Sequence, residues 1–456
     1  MINIDISNQI TLTGDIPTDV RGKLMNQLTM ENPVWVEKNL YGRWVGGTPQ
    51  YLTFYTETPS GLLIPRGYLK QLRGFLDRES VPYTFTDGTR ALPDVQFKFN
   101  GTLYESQQNA ASKVLAEPFG VAQMPTGAGK TIVALYCIAQ RRQPALVVVH
   151  TKELLYQWKT QAEQFLGLSG RDIGLIGDGK YRIGRKVTIA IVNSLRKRIS
   201  TVKDDVGFLI VDECHRVPSS TFRDAVSMFD SRYMLGLSAT PKRRDDLTRL
   251  IYLYLGDRVF QISPKKLQST GQIMKASMII RETGFDFQYT DDYSAMITAL
   301  TDDDERNNLI ADDIIQHTRH SKDPALVVSE RKAHCHALAD IIRQEGVCVT
   351  VLTGDLPRRK RQDIIERVHS DQVDVLLSTT QLIGEGFDCK RLSALFLATP
   401  IKTSSRLQQV VGRVLRSDTG KKIPKVYDYV DAHGILKSSF KSRMETYRKI
   451  GVIVPN

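Results

Sequence analysis

The densest chemistry in the chain lies in MPTGAGKT, Met124 to Thr131, between an apolar run (FGVAQ) and a helical one (IVALYCIAQ). A glycine-rich turn that opens a helix aims several backbone N–H groups at one point, and the helix dipole adds positive potential there. That is a cradle for phosphate oxygens. Thr126, Gly127, Ala128 and Gly129 form the turn. Lys130 would pair with the β- and γ-phosphates of a nucleotide, and the Thr131 hydroxyl would bind magnesium. The strict pattern has glycine at its first position, where this chain has Met124. Asp212 and Glu213 close the apolar run FLIV, 82 residues after Lys130. The carboxyl end of a buried strand is where an α/β sheet places ligand-binding groups. Asp212 is expected to hold magnesium, and Glu213 to orient and deprotonate the attacking water. An acidic pair after a strand is common by itself. Its spacing from the lysine makes this one specific. Ser238-Ala239-Thr240 follows YMLGLS, either as a hydrogen-bond relay or as a plain capping turn.

A second set lies far downstream. In QVVGRVLR, Gln409, Gly412, Arg413 and Arg416 are spaced i, i+3, i+4 and i+7. On one helix they share a face. Two arginines there would be arginine fingers for the γ-phosphate; a basic amphipathic helix covering apolar surface is the alternative. Upstream, STTQLIGEGFD (Ser378 to Asp388) follows VDVLL. Its glycines, Gly386 among them, allow a tight loop near ligand, and Asp388 either contacts the ribose or bridges to the first lobe.

The elements that position these groups follow from the apolar pattern. From about residue 101, short strands alternate with helical stretches: ALVVV then KELLYQWKTQAEQFL, VTIAIV then a basic helix, FLIVDE then a loop. The alternation resumes with PALVVS, KAHCHALADIIRQEG, CVTVLTG and DVLLSTT. Such alternation implies parallel sheets with helices on both faces. The expected fold is α/β: two tandem RecA-like lobes, over 101–262 and 263–456, behind a small α+β accessory domain, 1–90. In the accessory domain a helix is expected near 18–30, strand-like segments in VWVEKNLYGRWV and YLTFYTE, and a helix in YLKQLRGFL. Residues 81–100 read as a linker. The acidic run Asp302 to Glu305 is a solvated loop or a helix start.

Composition limits the classes. The net charge is +12, and residues 101–262 hold 23 basic and 15 acidic side chains, against ten of each in 1–100. The excess suits a polyanion partner. A charge-neutral accessory domain would have to reach nucleic acid by shape, stacking or a local patch such as Arg66 and Lys70. Five scattered cysteines without a CxxC pair suggest free thiols in a reducing compartment. No run approaches the ~20 apolar residues of a membrane span, and MINIDISNQI does not read as a secretory signal. The expectation is a cytoplasmic protein (host cytoplasm if viral) without membrane association. His317, His320, His334, His336 and Cys335 do not form a zinc set, since His334 and His336 are two apart on a helix and face opposite ways. Trp35, Trp44, Tyr51, Phe54 and Tyr55 are expected as core of the accessory domain, with base stacking as the alternative.

Taken together, Gln107, MPTGAGKT, HTKELLYQW, VDECH, SAT, TTQLIGEGFD and QVVGRVLR stand in the order and spacing of superfamily 2 helicases, over about residues 101–416. The chain resembles the group of DNA helicases that contains XPB and the phage branch-migration helicase UvsW. DECH and Q-x-x-G-R-x-x-R set it apart from the DEAD-box RNA helicases. The resemblance implies an ATP- and magnesium-dependent, DNA-stimulated ATPase acting on branched or forked DNA in recombination, repair or replication, as a monomeric motor with ATP between its lobes and no structural metal. It assigns Gln107 to the adenine edge. It sets Thr151, Lys152, Asn193, Ser194, Thr353, Gly354 and Thr379 against the DNA backbone, where contacts position without reading sequence. The clusters Arg196–Arg198, Lys242–Arg244 and Arg358–Arg361 would add phosphate contacts or serve as solvated faces. The rival readings are an RNA helicase, a duplex-tracking ATPase that does not separate strands, and a binding clamp without ATPase activity.

Overall fold

The computed structural model describes residues 1–216, 220–239, 247–289, 292–384, 389–418 and 420–455, with residues 220–222, 358 and 384 described by their backbone only. The chain divides into two compact units, Met1–Met124 with Gly129–Gln261, and Pro125–Ala128 with Ile262–Asn456. Each is an α/β body built on its own sheet.

In the first unit the described strands form an eight-stranded sheet. Its order is Lys180–Arg182, Ile173–Gly177, Val187–Ile191, Ala145–Val149, Phe208–Val211, Tyr233–Ser238, Phe119–Gln123, Arg258–Gln261. All neighbours are parallel except the outermost pair, an antiparallel hairpin. Ala145–Val149 and Phe208–Val211 are buried at every position. Continuous Val/Ile/Leu runs do this because crossover helices cover both faces of a parallel sheet. The second unit repeats the scheme with six parallel strands, ordered Ser277–Glu282, Lys425–Val430, Ala394–Leu397, Ala325–Ser329, Val375–Thr379, Val349–Leu352. These are the two RecA-like lobes. The acidic run starts a helix: Asp303 accepts a hydrogen bond from the Arg306 N–H at 2.8 Å and caps Asp304–His320.

The N-terminal residues form a five-stranded sheet, ordered Thr56–Thr58, Gly61–Pro65, Gln9–Gly14, Ile2–Ile6, Tyr83–Asp87. Helices Thr18–Gln27 and Leu69–Arg78 accompany it. Two expectations fail here. VWVEKNL is a helix, Pro33–Leu40, because Asn32 caps it by accepting from the Val34 N–H at 3.1 Å and Pro33 takes the first helical position. That start signal outweighs the β-preference of Val and Trp. Tyr83–Asp87 is a strand parallel to Ile2–Ile6 and not part of a linker; its Tyr-Thr-Phe-Thr alternation suits a sheet edge.

The aromatic residues split. Phe54 is buried and Tyr55 packs against the same core, but Trp44 is 82% and Tyr51 53% exposed, so the core reading fails for those two. The core of this N-terminal region continues into the first lobe. Leu72, Phe75 and Tyr68 pack with Leu250 and Leu253 of helix Thr248–Leu255. At Gly67 an added Cβ would lie 2.4 Å from the Gly256 backbone nitrogen, so only glycine permits this approach. Arg66 is not a surface contact. It is buried, donates to the Ser231 carbonyl at 2.8 Å, and lies 4.8 Å over the Phe119 ring. Lys70 is exposed and paired with Glu117 at 2.7 Å.

Candidate nucleotide and nucleic-acid sites

The strand Phe119–Gln123 runs into the turn Pro125–Gly129, and helix Lys130–Arg141 begins directly after it. Gly127 (φ 86°) and Gly129 (φ 82°) are left-handed, which lets the backbone fold back on itself before the helix. Gly129 also admits a neighbour. A Cβ there would meet the Gln107 side-chain nitrogen at 2.4 Å. Gln107 is itself buried in the first turn of helix Glu105–Leu115, where its Oε1 accepts from the Tyr104 N–H at 3.1 Å.

Lys130 Nζ lies 3.7 Å from Glu213 Oε1. Asp212 is buried at the end of Phe208–Val211, and its two oxygens are both engaged. Oδ2 accepts from the Trp158 indole N–H at 2.8 Å, and Oδ1 from the Glu213 N–H at 2.9 Å. Glu213 has φ 49°, a left-handed conformation unusual for a residue with a side chain. His215 Nδ1 is 3.3 Å from Glu213 Oε2 and 3.4 Å from Ser238 Oγ. The Ser238 carbonyl accepts from the Met124 N–H at 2.9 Å. Ser238 thus touches both Met124, at the start of the glycine-rich turn, and His215 beside the acidic pair.

The two carboxyls are held apart electrostatically. Burial works against the charge of Glu213, but Lys130 and His215 more than offset it, and the group stays well below the usual carboxylate range. Burial pushes Asp212 up, and the Glu213 charge adds to the push, with Lys130 and Trp158 opposing. Such a cradle at a helix start, a lysine beside it and a buried carboxylate fit a nucleoside triphosphate with a divalent metal.

The remaining sequence-selected residues are distributed as follows. Thr131 lies in the first turn of helix Lys130–Arg141. Thr151 caps helix Lys152–Leu166 by accepting from the Leu154 N–H at 3.3 Å, and Lys152 pairs with Asp178 at 2.6 Å. Asn193 is exposed and Ser194 half-buried on helix Val192–Arg196. In the second unit Thr353 is 3% exposed, Gly354 is exposed, and Thr379 is half-buried at the end of its strand. Helix Ser404–Val414 carries Gln409, Gly412 and Arg413, but it ends before Arg416. Arg416 stands in a single β-bridge with Ile273, so the expected four-residue face is a three-residue one. Arg413 is buried, with its Nε donating to the Ile383 carbonyl at 3.1 Å. Gly386, Asp388, Thr240 and Lys242–Arg244 lie outside the described residues. His334 is a core residue, between Ser329 Oγ at 2.9 Å and Asn307 Oδ1 at 2.8 Å.

Two contributors carry no assignment in the sequence. Trp158 shows only as an apolar position on an amphipathic helix. Its signal is that a buried indole N–H needs an acceptor, and an acidic strand end provides one. His215 follows the acidic pair by two residues, and nothing in the spacing says that it turns back to Glu213.

Comparison with known proteins places these features in a family. Residues 100–243 match the model described as the type III restriction enzyme res subunit, and residues 306–418 match the helicase conserved C-terminal domain. The chain is 26% identical to the probable helicase D10 of Escherichia phage T5, over 71% of this chain and 70% of that one. It is 25% identical to the DNA 3'-5' translocase XPB2 of Sulfurisphaera tokodaii, over 72% and 81%. It is 22% identical to the ATP-dependent DNA helicase uvsW of Enterobacteria phage T4, over 74% and 70%. In fold it is similar to a fragment of an HsdR subunit of a type I restriction enzyme from Vibrio vulnificus, with TM-score 0.59 and 20% identity over 78% of this chain and 69% of that one. Among the described residues no helix is long and apolar enough to cross a membrane. The matches to the type III restriction enzyme res-subunit model and to the helicase conserved C-terminal domain, with relatives named as helicases, make this chain an ATP-hydrolysing helicase of superfamily 2, in the group of XPB and UvsW.

Proposed function

We propose that the protein is an ATP-driven DNA motor that remodels branched DNA, by fork regression, junction branch migration or unwinding. The observation that carries this reading is the helix Lys152–Leu166. Its first residues, Thr151 and Lys152, are the candidate DNA contacts, and its buried Trp158 holds Asp212 at 2.8 Å. In this reading one helix links the candidate DNA contacts at its start to Asp212 through Trp158 in its middle, a direct path between DNA and nucleotide. Relatives named as a DNA translocase and a DNA helicase support DNA as the substrate.

In this reading Lys130 binds the β- and γ-phosphates, and Thr131 and Asp212 hold magnesium. Bound magnesium would neutralise phosphate charge and fix its geometry. Without nucleotide, Lys130 holds Glu213 ionised but weakly basic. When phosphate draws Lys130 away, Glu213 loses that pull and becomes a better acceptor for the proton of the attacking water. His215 keeps it oriented. Gln107 reads the adenine edge, Gly386 and Asp388 are further nucleotide-binding candidates, and Arg413 and Arg416 stabilise charge in the transition state, with Gln409 as a third catalytic candidate of that motif. Thr353, Gly354 and Thr379 are the second lobe's DNA contacts, matching Asn193 and Ser194 in the first.

The deciding experiment measures ATP turnover and strand products with linear duplex, forked, three-way and four-way DNA, alongside an RNA duplex. The reading expects the highest stimulation and ATP-dependent product on the branched DNAs. Equal stimulation by linear duplex without strand products would leave a duplex-tracking ATPase, and stimulation by RNA alone would overturn the DNA assignment.

A further inference from the structure

Strands Ala145–Val149, Ile173–Gly177 and Val187–Ile191 are parallel, so their carboxyl ends share one edge of the first lobe's sheet. Thr151–Lys152 and Asn193–Ser194 follow two of those ends. A hairpin follows the third. Asp178 (φ 52°) and Gly179 (φ 73°) are both left-handed, the geometry of a tight two-residue turn, and they return the chain as Lys180–Arg182 along the sheet's outer edge.

The hairpin is pinned on both sides. Asp178 accepts from Lys152 Nζ at 2.6 Å and from the Tyr156 hydroxyl at 2.8 Å, and Lys180 Nζ lies 5.0 Å over the Tyr156 ring. On the other side the Tyr181 hydroxyl is 2.8 Å from Thr201 Oγ1, and the Arg198 guanidinium lies 4.5 Å over the Tyr181 ring. Tyr181 nevertheless stays 44% exposed, Arg198 over its ring is exposed, and Lys180, Arg182 and Lys197, neighbours in the chain of these two, are exposed as well. Charge on an edge strand guards against edge-to-edge pairing, which accounts for Lys180 and Arg182. It does not account for an aromatic ring fixed at its tip and on one face while it remains in water. Thr201 and Arg198 hold the ring in place, yet 44% of its surface stays in water and open to a further partner. A fixed ring among cations is what a nucleobase and its flanking phosphates require.

We propose that Lys180, Tyr181 and Arg198 form a contact for an unpaired DNA strand, with Tyr181 stacking on a base and the two cations taking the adjacent phosphates. The proposal rests on the DNA-motor reading and extends its rim outward by one hairpin.

The test uses the full chain and a single-stranded oligodeoxythymidine carrying one 2-aminopurine, titrated at several salt concentrations. Wild type should bind and change the 2-aminopurine fluorescence. Tyr181→Ala should lose that change and bind about tenfold more weakly, within the range for one base–aromatic stack. Tyr181→Phe should keep both, because the ring does the stacking and the hydroxyl only meets Thr201. The double variant Lys180→Ala, Arg198→Ala should flatten the salt dependence by about 1.4 in log–log slope, roughly 0.7 for each phosphate contact on a single strand. These two cations are exposed, so the double variant carries the test even if Tyr181→Ala does not fold. Wild-type binding with unchanged fluorescence, affinity and slope in the variants overturns this proposal alone. A wild type that binds no oligodeoxythymidine also overturns this proposal alone, whereas the DNA-motor reading fails only if branched DNA does not stimulate ATP turnover.

Discussion

Glu213 and Trp158 act on the same few ångströms by different means. Glu213 is ionised, faces Lys130 and His215, and has a backbone conformation that a residue with a Cβ adopts only when its surroundings hold it there. Glu213→Gln keeps the size and removes the proton acceptor. Turnover should fall on the order of 10²–10⁴-fold while nucleotide affinity stays close to wild type. Single-turnover hydrolysis and nucleotide titration on one preparation check this, and wild-type turnover would remove Glu213 from its role. Trp158 touches no substrate. It positions Asp212 through one N–H at 2.8 Å. Trp158→Phe leaves a buried carboxylate oxygen short of a donor. The expected result is a loss of about 1.5–3 kcal/mol in stability, as for a hydrogen bond to a charged group, and about tenfold weaker magnesium affinity, read from the magnesium needed for half-maximal turnover, as for other outer-shell partners. A magnesium titration that superimposes on wild type would show Trp158 to be packing only.

At the scale of elements, the second lobe's helices are joined to its sheet by buried histidines. His334, on helix Lys332–Gln344, bridges Ser329 and Asn307. His317, on Asp304–His320, meets Ser393 at 3.2 Å. Burial pushes His334 down to about 3, helped by the Arg306 charge, and His317 down to about 4, helped by Lys425 and His320. An unfolded histidine takes up its proton near pH 6.5. Both folded values lie below that, so this stability is fully present above about pH 6.5 and is lost as pH falls from there towards about 4 for His317 and about 3 for His334. Each histidine contributes a slope of up to about 1.4 kcal/mol per pH unit in that window. Thermal melts of the full chain from pH 7 to pH 4.5 should show the fall, and His334→Gln should make it shallower. An identical profile in the variant would mean that other groups dominate.

Over the first unit, the N-terminal region and the lobe share one core and are expected to unfold as one cooperative body. Leu250 and Leu253 of the lobe lie in the same core as Leu72 and Phe75, and Arg66 is sealed between Phe119 and the Ser231 carbonyl. Arg66→Ala would leave that carbonyl unsatisfied and open a cavity. The expected cost is about 2–3 kcal/mol, seen as a lower melting temperature for the first unit. Removing residues 1–90 should uncover the apolar face of helix Thr248–Leu255 and give a chain that aggregates on expression. A soluble 91–456 chain with a cooperative melt would show that the shared core is dispensable. The wider consequence is functional. An accessory region fused to the motor lobe moves with it, so any DNA contact made by the exposed Trp44 or Tyr51 is carried by the lobe rather than by a tethered module.

The sequence by itself determined the parallel sheets, the glycine-rich turn before its helix, the acidic pair at a strand end and the family, because each is written in local order. A strand buried on both faces is apolar throughout, and the turn and the acidic pair directly adjoin the elements that hold them. Asn32 and Pro33 were equally local, and there a capping signal outweighed the β-preference of the residues after it. Tertiary structure alone decided what depends on partners distant in the chain. Trp158 finds Asp212 54 residues away, and Arg66 finds Ser231 165 residues away. Neither pairing has a periodicity or spacing to announce it, since what forces each is the need of a buried polar group for a partner, and only the packed fold says which group is buried and what stands opposite. The same rule sorted the aromatics, burying Phe54 and leaving Trp44 in water, although both belong to one aromatic-rich stretch.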